Sequence, residues 1–376
     1  MDSIAHKYPF ITKEYLESVL RESHKCSSIV VQDFTVVPAL AKGQNYSSDI
    51  LRVKICYVEE GSVPKNATFI IKASLDSEEL ADMIEEAIKV STTKPNHIIF
   101  EDLTESGFVA ADRKKGLIYH ELVMVLERIA HFHAATAYMF SKDESTMQYH
   151  HYPNINPDQM HFHPLYRNCL LACAEEARKW PTISSNIAEK LFRLEKSMMP
   201  KAFEIYKSDK TGFNVLCHCD LSVNNVMLKF DSVGNSVDCR LVDFAIGFFG
   251  SPAMDLSYLL FTSSADDVTT DQFDELLQYY HTQFVDTLVK LGYGRPIPTL
   301  NDIQVEMLRK GFLGVMHVPL LLPLRLIEDT ANADLSHLIG SSEAAIEFRR
   351  KMFSHPRFQS RMECLLSYFD RKGYLD

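Results

Sequence analysis

Polar side chains crowd into otherwise apolar sequence along LCHCDLSVNNVMLKF (216–230) and RLVDFAIGFFGSPAMDLSYLL (240–260). Phosphoryl transfer gives these residue types a purpose. It needs a carboxylate to orient the acceptor hydroxyl and take its proton, and oxygen ligands for the magnesium that bridges the phosphates. Asp220 and Asn225 are separated by four residues, the D-x-x-x-x-N spacing of a kinase catalytic loop, which lets a loop turn back and face both side chains to one site. A hairpin then carries the chain away and returns it, so that Asp243 at its end can join Asn225 on a hard cation. Oxygen donors with few carboxylates suit magnesium, which keeps waters and uses substrate phosphates for its remaining ligands. The expected cofactors are ATP and Mg2+. His218 reads as structuring the loop, bonding backbone and a downstream acid such as Asp255. Asp255 opens the helical stretch DLSYLL, where N-cap duty is the plainer reading. The plain alternative for the whole set is that Asp220 and Asn225 cap a turn and Asp243 ends a strand.

These residues need elements to hold them. NVMLKF and VDCRLVDF around the turn DSVGNS predict two strands bracketing 226–243. Upstream, a helix is expected over about 13–24, then three strands, IVVQDFTVVPAL, DILRVKICYV and ATFIIKASL, forming an antiparallel meander. LADMIEEAIK places Leu80, Ile84, Ala87 and Ile88 on one helical face, and HIIFEDL (97–103) gives a further strand. Lys72 ends the strand FIIKASL, where an inner-face lysine could reach the α and β phosphates; a solvated strand-end lysine is the alternative. The turn KGQNYSS holds a single glycine and is neither a Walker loop nor a full G-x-G-x-x-G. Gly43, Asn45, Ser47 and Ser48 could still lay N–H and hydroxyl groups over phosphates. Glu101 and Leu103 could offer backbone groups to an adenine as a lobe-joining hinge, or belong to a solvated turn. From HELVMVLERIAHFHAATAYM onward the period becomes helical, with Leu122, Val125, Leu126, Ile129 and His133 sharing a face. Further helices are expected over about 165–179, 183–207, 271–291, from 302 and over 357–370. The expected fold class is α+β. It is a two-lobed protein-kinase-like fold with a small antiparallel-sheet N-lobe (1–104) and a larger, mainly helical C-lobe (105–376).

The 376 residues suit two such lobes, by the usual size of a domain. A composition of 46% hydrophobic and 24% charged residues is ordinary globular usage. With 39 Lys+Arg against 50 Asp+Glu the net charge is −11, which repels nucleic acid and anionic membrane. A bound nucleotide is compatible, because magnesium and a local cation override the global sign. The opening residues lack a signal-peptide pattern, and the longest apolar run, GVMHVPLLLPLRLI (314–327), is interrupted by His, Arg and two prolines. A cytoplasmic location is therefore expected, with no obligate protein partner evident. The eight cysteines, without regular spacing, read as reduced buried thiols. Cys169 and Cys173 near His161 and His163 leave a zinc site conceivable, with core packing the ordinary alternative.

Together, KGQNYSSDILRV, FIIKASL, IIFEDLTESGFVAADRKKGL, HCDLSVNNVMLKF, VDFAIGFFGSPAMDLSYLLFTS and LLSYFDRKGYLD resemble, in order and over nearly the whole chain, the ecdysteroid kinase-like (CHK kinase-like) family. That family is related to the choline and aminoglycoside kinases. The resemblance implies ATP-dependent phosphorylation of a hydroxyl on a small molecule such as an ecdysteroid, another steroid or a foreign alcohol. By position it makes Asp220 the base, Asn225 and Asp243 the metal ligands, Lys72 the phosphate lysine and Glu101 to Leu103 the hinge. The chain departs from the family pattern in three places. Cys219 stands where the family usually has Gly, an exchange tolerated if the residue keeps negative φ. Ala245 stands where Gln is common. The segment between Lys72 and the hinge is short. The helix whose Glu pairs with the lysine is therefore curtailed, and Glu79, Glu85 or Glu86 would have to supply that partner. The alternative function is accordingly a catalytically impaired, nucleotide-binding pseudokinase or scaffold. A protein-kinase reading is disfavoured by the absence of an A-P-E pattern.

Overall fold

Alternating burial along 49–58 and the helical period after 119 mark two different kinds of architecture, and the chain divides accordingly. A computed structural model describes residues 7–39, 49–60, 62–73, 97–151, 163–207, 209, 212–327 and 335–376. Contacts separate them into two units, one ending at Gly107 and one beginning at Phe108. The turn with Gly43, Asn45, Ser47 and Ser48, the helix read over LADMIEEAIK with Glu79, Glu85 and Glu86, and His161 lie outside the described residues.

The first unit opens with α1 (Lys13–His24), started by the Thr12 hydroxyl accepting from Tyr15 N and closed by Lys25 in the left-handed region. A four-stranded antiparallel sheet follows, β1 (Val30–Pro38), β2 (Asp49–Val58), β3 (Lys65–Ala73) and β4 (His97–Glu101), in that spatial order. Side chains alternate across a strand, so Leu51, Val53, Ile55 and Tyr57 share one face. They are buried together with Val31, Ile71, Ala73 and Leu16 and Leu20 of α1. Lys72 lies between Ile71 and Ala73 and so belongs to the opposite face, paired in register with Ile50 on one side and Ile98 on the other.

The second unit is mainly helical. Its strands are β5 (Phe108–Ala110), β6 (Val215–Cys217), β7 (Val226–Phe230), β8 (Ser236–Leu241) and β9 (Phe248–Gly250), pairing as β5-β7-β8 and β6-β9. Around them run α2 (Tyr119–Lys142), α3 (His163–Ala177), α4 (Ser185–Leu194), α5 (Met198–Tyr206), α6 (Ala253–Ser263) and α7 (Phe273–Lys290). The chain ends with α8 (Leu300–Lys310), α9 (Phe312–Leu326), α10 (Leu335–Ile339), α11 (Glu343–Phe353) and α12 (Pro356–Arg371).

The short strands β5, β6 and β9 and the short helix α10 lie outside the expected set, and two further departures concern longer helices. The single helix expected over 183–207 is two, α4 and α5. Pro200 cannot donate to the carbonyl four residues back, so the helix restarts at Met198 and holds the proline in its first turn, where no donor is missed. Helix α11 lies outside the expected set. Its apolar stripe is thin, with Ala345, Met352 and Phe353 buried among charged residues.

The apolar run at 314–327 is α9, with Pro319 and Pro323 inside it, and it is buried over nearly its whole length. Among the described residues no single helix is long and apolar enough to cross a membrane. Cys169 and Cys173 lie buried on α3. Both pack in the hydrophobic core, and burial pushes the Cys169 thiol up to about 12 and raises that of Cys173.

Candidate active site

Helix α6 organises the loop that follows β6. Asp255 is wholly buried in its first turn. Its Oδ2 accepts from the backbone N–H of His218 at 2.6 Å and its Oδ1 from that of Cys219 at 2.8 Å. A third donor comes from α2: the Nε2–H of His133, also wholly buried, reaches Oδ2 at 3.0 Å, while its Nδ1 pairs with the Tyr280 hydroxyl at 2.8 Å. Burial pushes the Asp255 carboxyl up, but His133 and the backbone donors prevail and hold it below its ordinary value. Asp255 therefore does not cap its own helix, which begins at Ala253. It satisfies the backbone of the loop opposite, far away in sequence.

His218 turns its ring to the backbone on both sides. A carbonyl can only accept, so the bond to Val242 O at 2.9 Å makes Nε2 the protonated nitrogen. Nδ1 is left to accept from Asp220 N at 3.3 Å. The imidazole thus links the loop to the strand end that carries Asp243, and Phe244 packs on the ring with centroids 4.4 Å apart.

Asp220 is held at both oxygens. The Tyr258 phenol donates to Oδ1 at 2.7 Å, and the Asn225 amide donates to Oδ2 and to the Asp220 backbone carbonyl, both at 2.8 Å. Burial raises the Asp220 pKa, and the bonds from Tyr258 and Asn225 oppose that rise without cancelling it. With its amide nitrogen engaged, Asn225 has its oxygen left as the acceptor. The backbone carbonyl of Asn225 also accepts from Val242 N at 3.0 Å, which brings Asp243 up beside the loop.

Two residues here adopt the left-handed region, Cys219 at φ 65° and Asp243 at φ 66°. Asp tolerates it; Cys meets a steric penalty of about 1 kcal/mol that Gly does not. The condition of negative φ at Cys219 is therefore not met, because the backbone N–H groups of both His218 and Cys219 must face the Asp255 carboxylate. Cys219→Gly should stabilise the second unit by up to about 1 kcal/mol, the relief offset partly by chain entropy. Urea denaturation followed by tryptophan fluorescence at Trp180 would show it as a higher midpoint with unchanged slope.

The buried cluster invites comparison with a metal site, since ligand atoms of His133, Cys217 and Asp255 lie within 4.8 Å of one another. Cys217 is instead a donor. Its Sγ lies 3.2 Å from the Ser251 carbonyl. Burial raises its pKa, so it stays a thiol. The hard oxygen donors, Asn225 and Asp243, stand outside that group.

A family model for the ecdysteroid kinase-like family matches residues 84–293, more than half of the chain. The chain belongs to the ecdysteroid kinase-like family. As a member, it has a kinase-like fold and belongs among kinase-like phosphotransferases. No curated protein matches the chain.

In this ecdysteroid kinase-like chain the first unit carries the remaining sequence-derived candidates. Lys72 is half-buried near the end of β3. Glu101 is exposed at the end of β4, an outer strand of the sheet, and Leu103 opens a short turn. Between them Asp102, only 2% exposed, accepts from Arg52 at 2.6 Å and from Thr104 N at 3.1 Å, which fixes the backbone on either side. The reading of a solvated turn therefore fails at Asp102, and sequence reasoning passes over its partner Arg52 on β2 and, in the second unit, over Tyr258, Tyr280 and the polar role of His133. His133 does carry a signal: it is a polar ring on the apolar face shared by Leu122, Val125, Leu126 and Ile129.

Proposed function

We propose that the chain is an ATP-dependent phosphotransferase that phosphorylates a hydroxyl of a small molecule, with Asp220 as the base. The observation that carries the reading is the Asn225 amide turned onto Asp220. It leaves the Asn225 oxygen as an acceptor, and that oxygen and the Asp243 carboxylate are hard donors of the kind magnesium takes. Magnesium-bound ATP, when present, supplies the phosphoryl group and offsets the charge on its oxygens. Asp220 orients the acceptor hydroxyl and takes its proton, and the raised pKa makes it a better base than a solvated carboxylate. Lys72 would engage the α and β phosphates, and the backbone at Glu101 and Leu103 would engage the adenine, as in other kinase-like enzymes.

Family membership supports an ecdysteroid or another steroid or foreign alcohol as the acceptor in this reading. Steroid and phenolic alcohols therefore form the first assay panel, with ADP release as the signal. Magnesium and ATP together should raise the melting temperature, by the equivalent of about 2.7 kcal/mol at a hundredfold excess over Kd. Asn225→Ala and Asp243→Asn should each lose the magnesium-dependent part of that shift. Unchanged shifts in both variants would remove them as ligands. A shift in the wild-type chain with no turnover on any acceptor would favour nucleotide binding without catalysis.

A further inference from the structure

Helix α6 touches the catalytic loop at three levels. Asp255 accepts from the backbone of His218 and Cys219, Tyr258 donates to the Asp220 side chain, and Ser263 Oγ accepts from Val223 N at 2.9 Å. Asp255 and Tyr258 are three residues apart on a helix and so share a face. One face thus fixes both the backbone before the proposed base and the carboxylate itself.

An aspartate carboxylate rotates through a broad torsional well, so its plane is not set by rotamer preference alone. Here the two oxygens are engaged from two directions, by Tyr258 at Oδ1 and Asn225 at Oδ2. Each ionised oxygen can accept a second bond, so the clamp leaves acceptor capacity for a substrate hydroxyl while fixing where it points. The phenol is itself restrained. Tyr258 is 8% exposed, and its ring lies 4.8 Å from that of His317 on α9, which in turn meets Tyr166 of α3 at 5.9 Å.

We propose that Tyr258 is a positioning residue for phosphoryl transfer, holding the Asp220 carboxylate in the orientation that receives the acceptor's proton. The inference rests on the functional reading above. Misplacing a reacting group by a fraction of an ångström lowers the rate without loosening the binding of substrates held elsewhere.

Tyr258→Phe keeps the ring against His317 and deletes only the hydroxyl. With Mg-ATP and ecdysone, oestradiol or phenol as acceptor, kcat should fall about ten- to a hundred-fold, the range of one hydrogen bond to a charged group. KM for ATP should stay within twofold, and the melting temperature should show that the variant folds. In an Asp220→Asn background the same substitution should have little further effect on the residual rate, because the group it positions is gone. If the wild-type chain releases no ADP above background with any of these acceptors, the functional reading fails and this inference with it. A wild-type chain that turns over beside a Tyr258→Phe variant with unchanged kcat overturns the inference alone. So does a full additional loss in the Asp220→Asn background, which would mean that Tyr258 acts without Asp220.

Discussion

Asp220→Asn should lower turnover by about a hundred- to ten-thousand-fold, the usual contribution of a positioned general base. The substitution is nearly isosteric: the Asn side-chain oxygen can still accept from the Asn225 amide, and its nitrogen can donate to the Tyr258 phenol oxygen. The loop should therefore keep its shape, and the melting temperature and its rise with Mg-ATP should stay close to wild type. What is lost is the capacity to take a proton. Asp220 is bonded to the amide nitrogen of Asn225, not to the oxygen proposed as the cation's ligand. Loss of turnover with retained Mg-ATP stabilisation is thus the expected signature, read by ADP release beside a melting curve. A simultaneous loss of both would place Asp220 among the nucleotide or metal contacts instead.

Asp255→Ala should be the most damaging substitution for stability, costing about 3–5 kcal/mol. It leaves two backbone N–H groups and His133 buried without their acceptor. The loop that carries Asp220 would lose its anchor, so activity should disappear together with a fall in the urea midpoint rather than independently of it. Asp255→Asn separates charge from shape, because it keeps an acceptor oxygen and should fall between Ala and wild type. The same carboxylate sets a pH dependence. Its folded pKa is lowered below the unfolded value of about 3.9. Its contribution is therefore present above that value and is lost as the pH falls toward the folded pKa. Urea midpoints measured between neutral and acid pH should fall more steeply for the wild-type chain than for Asp255→Asn.

The elements and the principal loop are legible because their signals are local. Alternation marks β2, helical period marks α2, and D-x-x-x-x-N with a following hairpin marks the loop. What escapes depends on contacts between residues far apart in sequence. Asp255 has two readings in the sequence, a partner of His218 or a helix cap; that its partners are the backbone N–H groups of His218 and Cys219 carries no side-chain signature. The left-handed backbone at Cys219 follows from the same pair of bonds and from nothing in its immediate neighbours. Tyr258 can be found by counting three residues along a helix from Asp255, once that residue is known to face the loop. The break between α4 and α5 is available in Pro200, whose missing donor is masked by an amphipathic pattern.

Rigidity in the second unit concentrates behind the loop. His133, Tyr280, Asp255 and His218 form a buried polar group in which the hydrogen bonds run from α7 and α2 through α6 to the loop and on to the backbone at Val242. Fully satisfied networks of this kind hold a loop in a single geometry. That geometry is what an acceptor hydroxyl and Asp220 need in order to meet repeatedly at the same distance.

The most direct test follows the phosphoryl group itself. The wild-type chain and Asp220→Asn are incubated with γ-labelled ATP, magnesium and the steroid and phenolic acceptors, and the products are separated. Label on the acceptor with the wild-type chain and none with Asp220→Asn is the predicted result. Label that reaches an acceptor equally with both proteins, or stays in ATP with both, would contradict it.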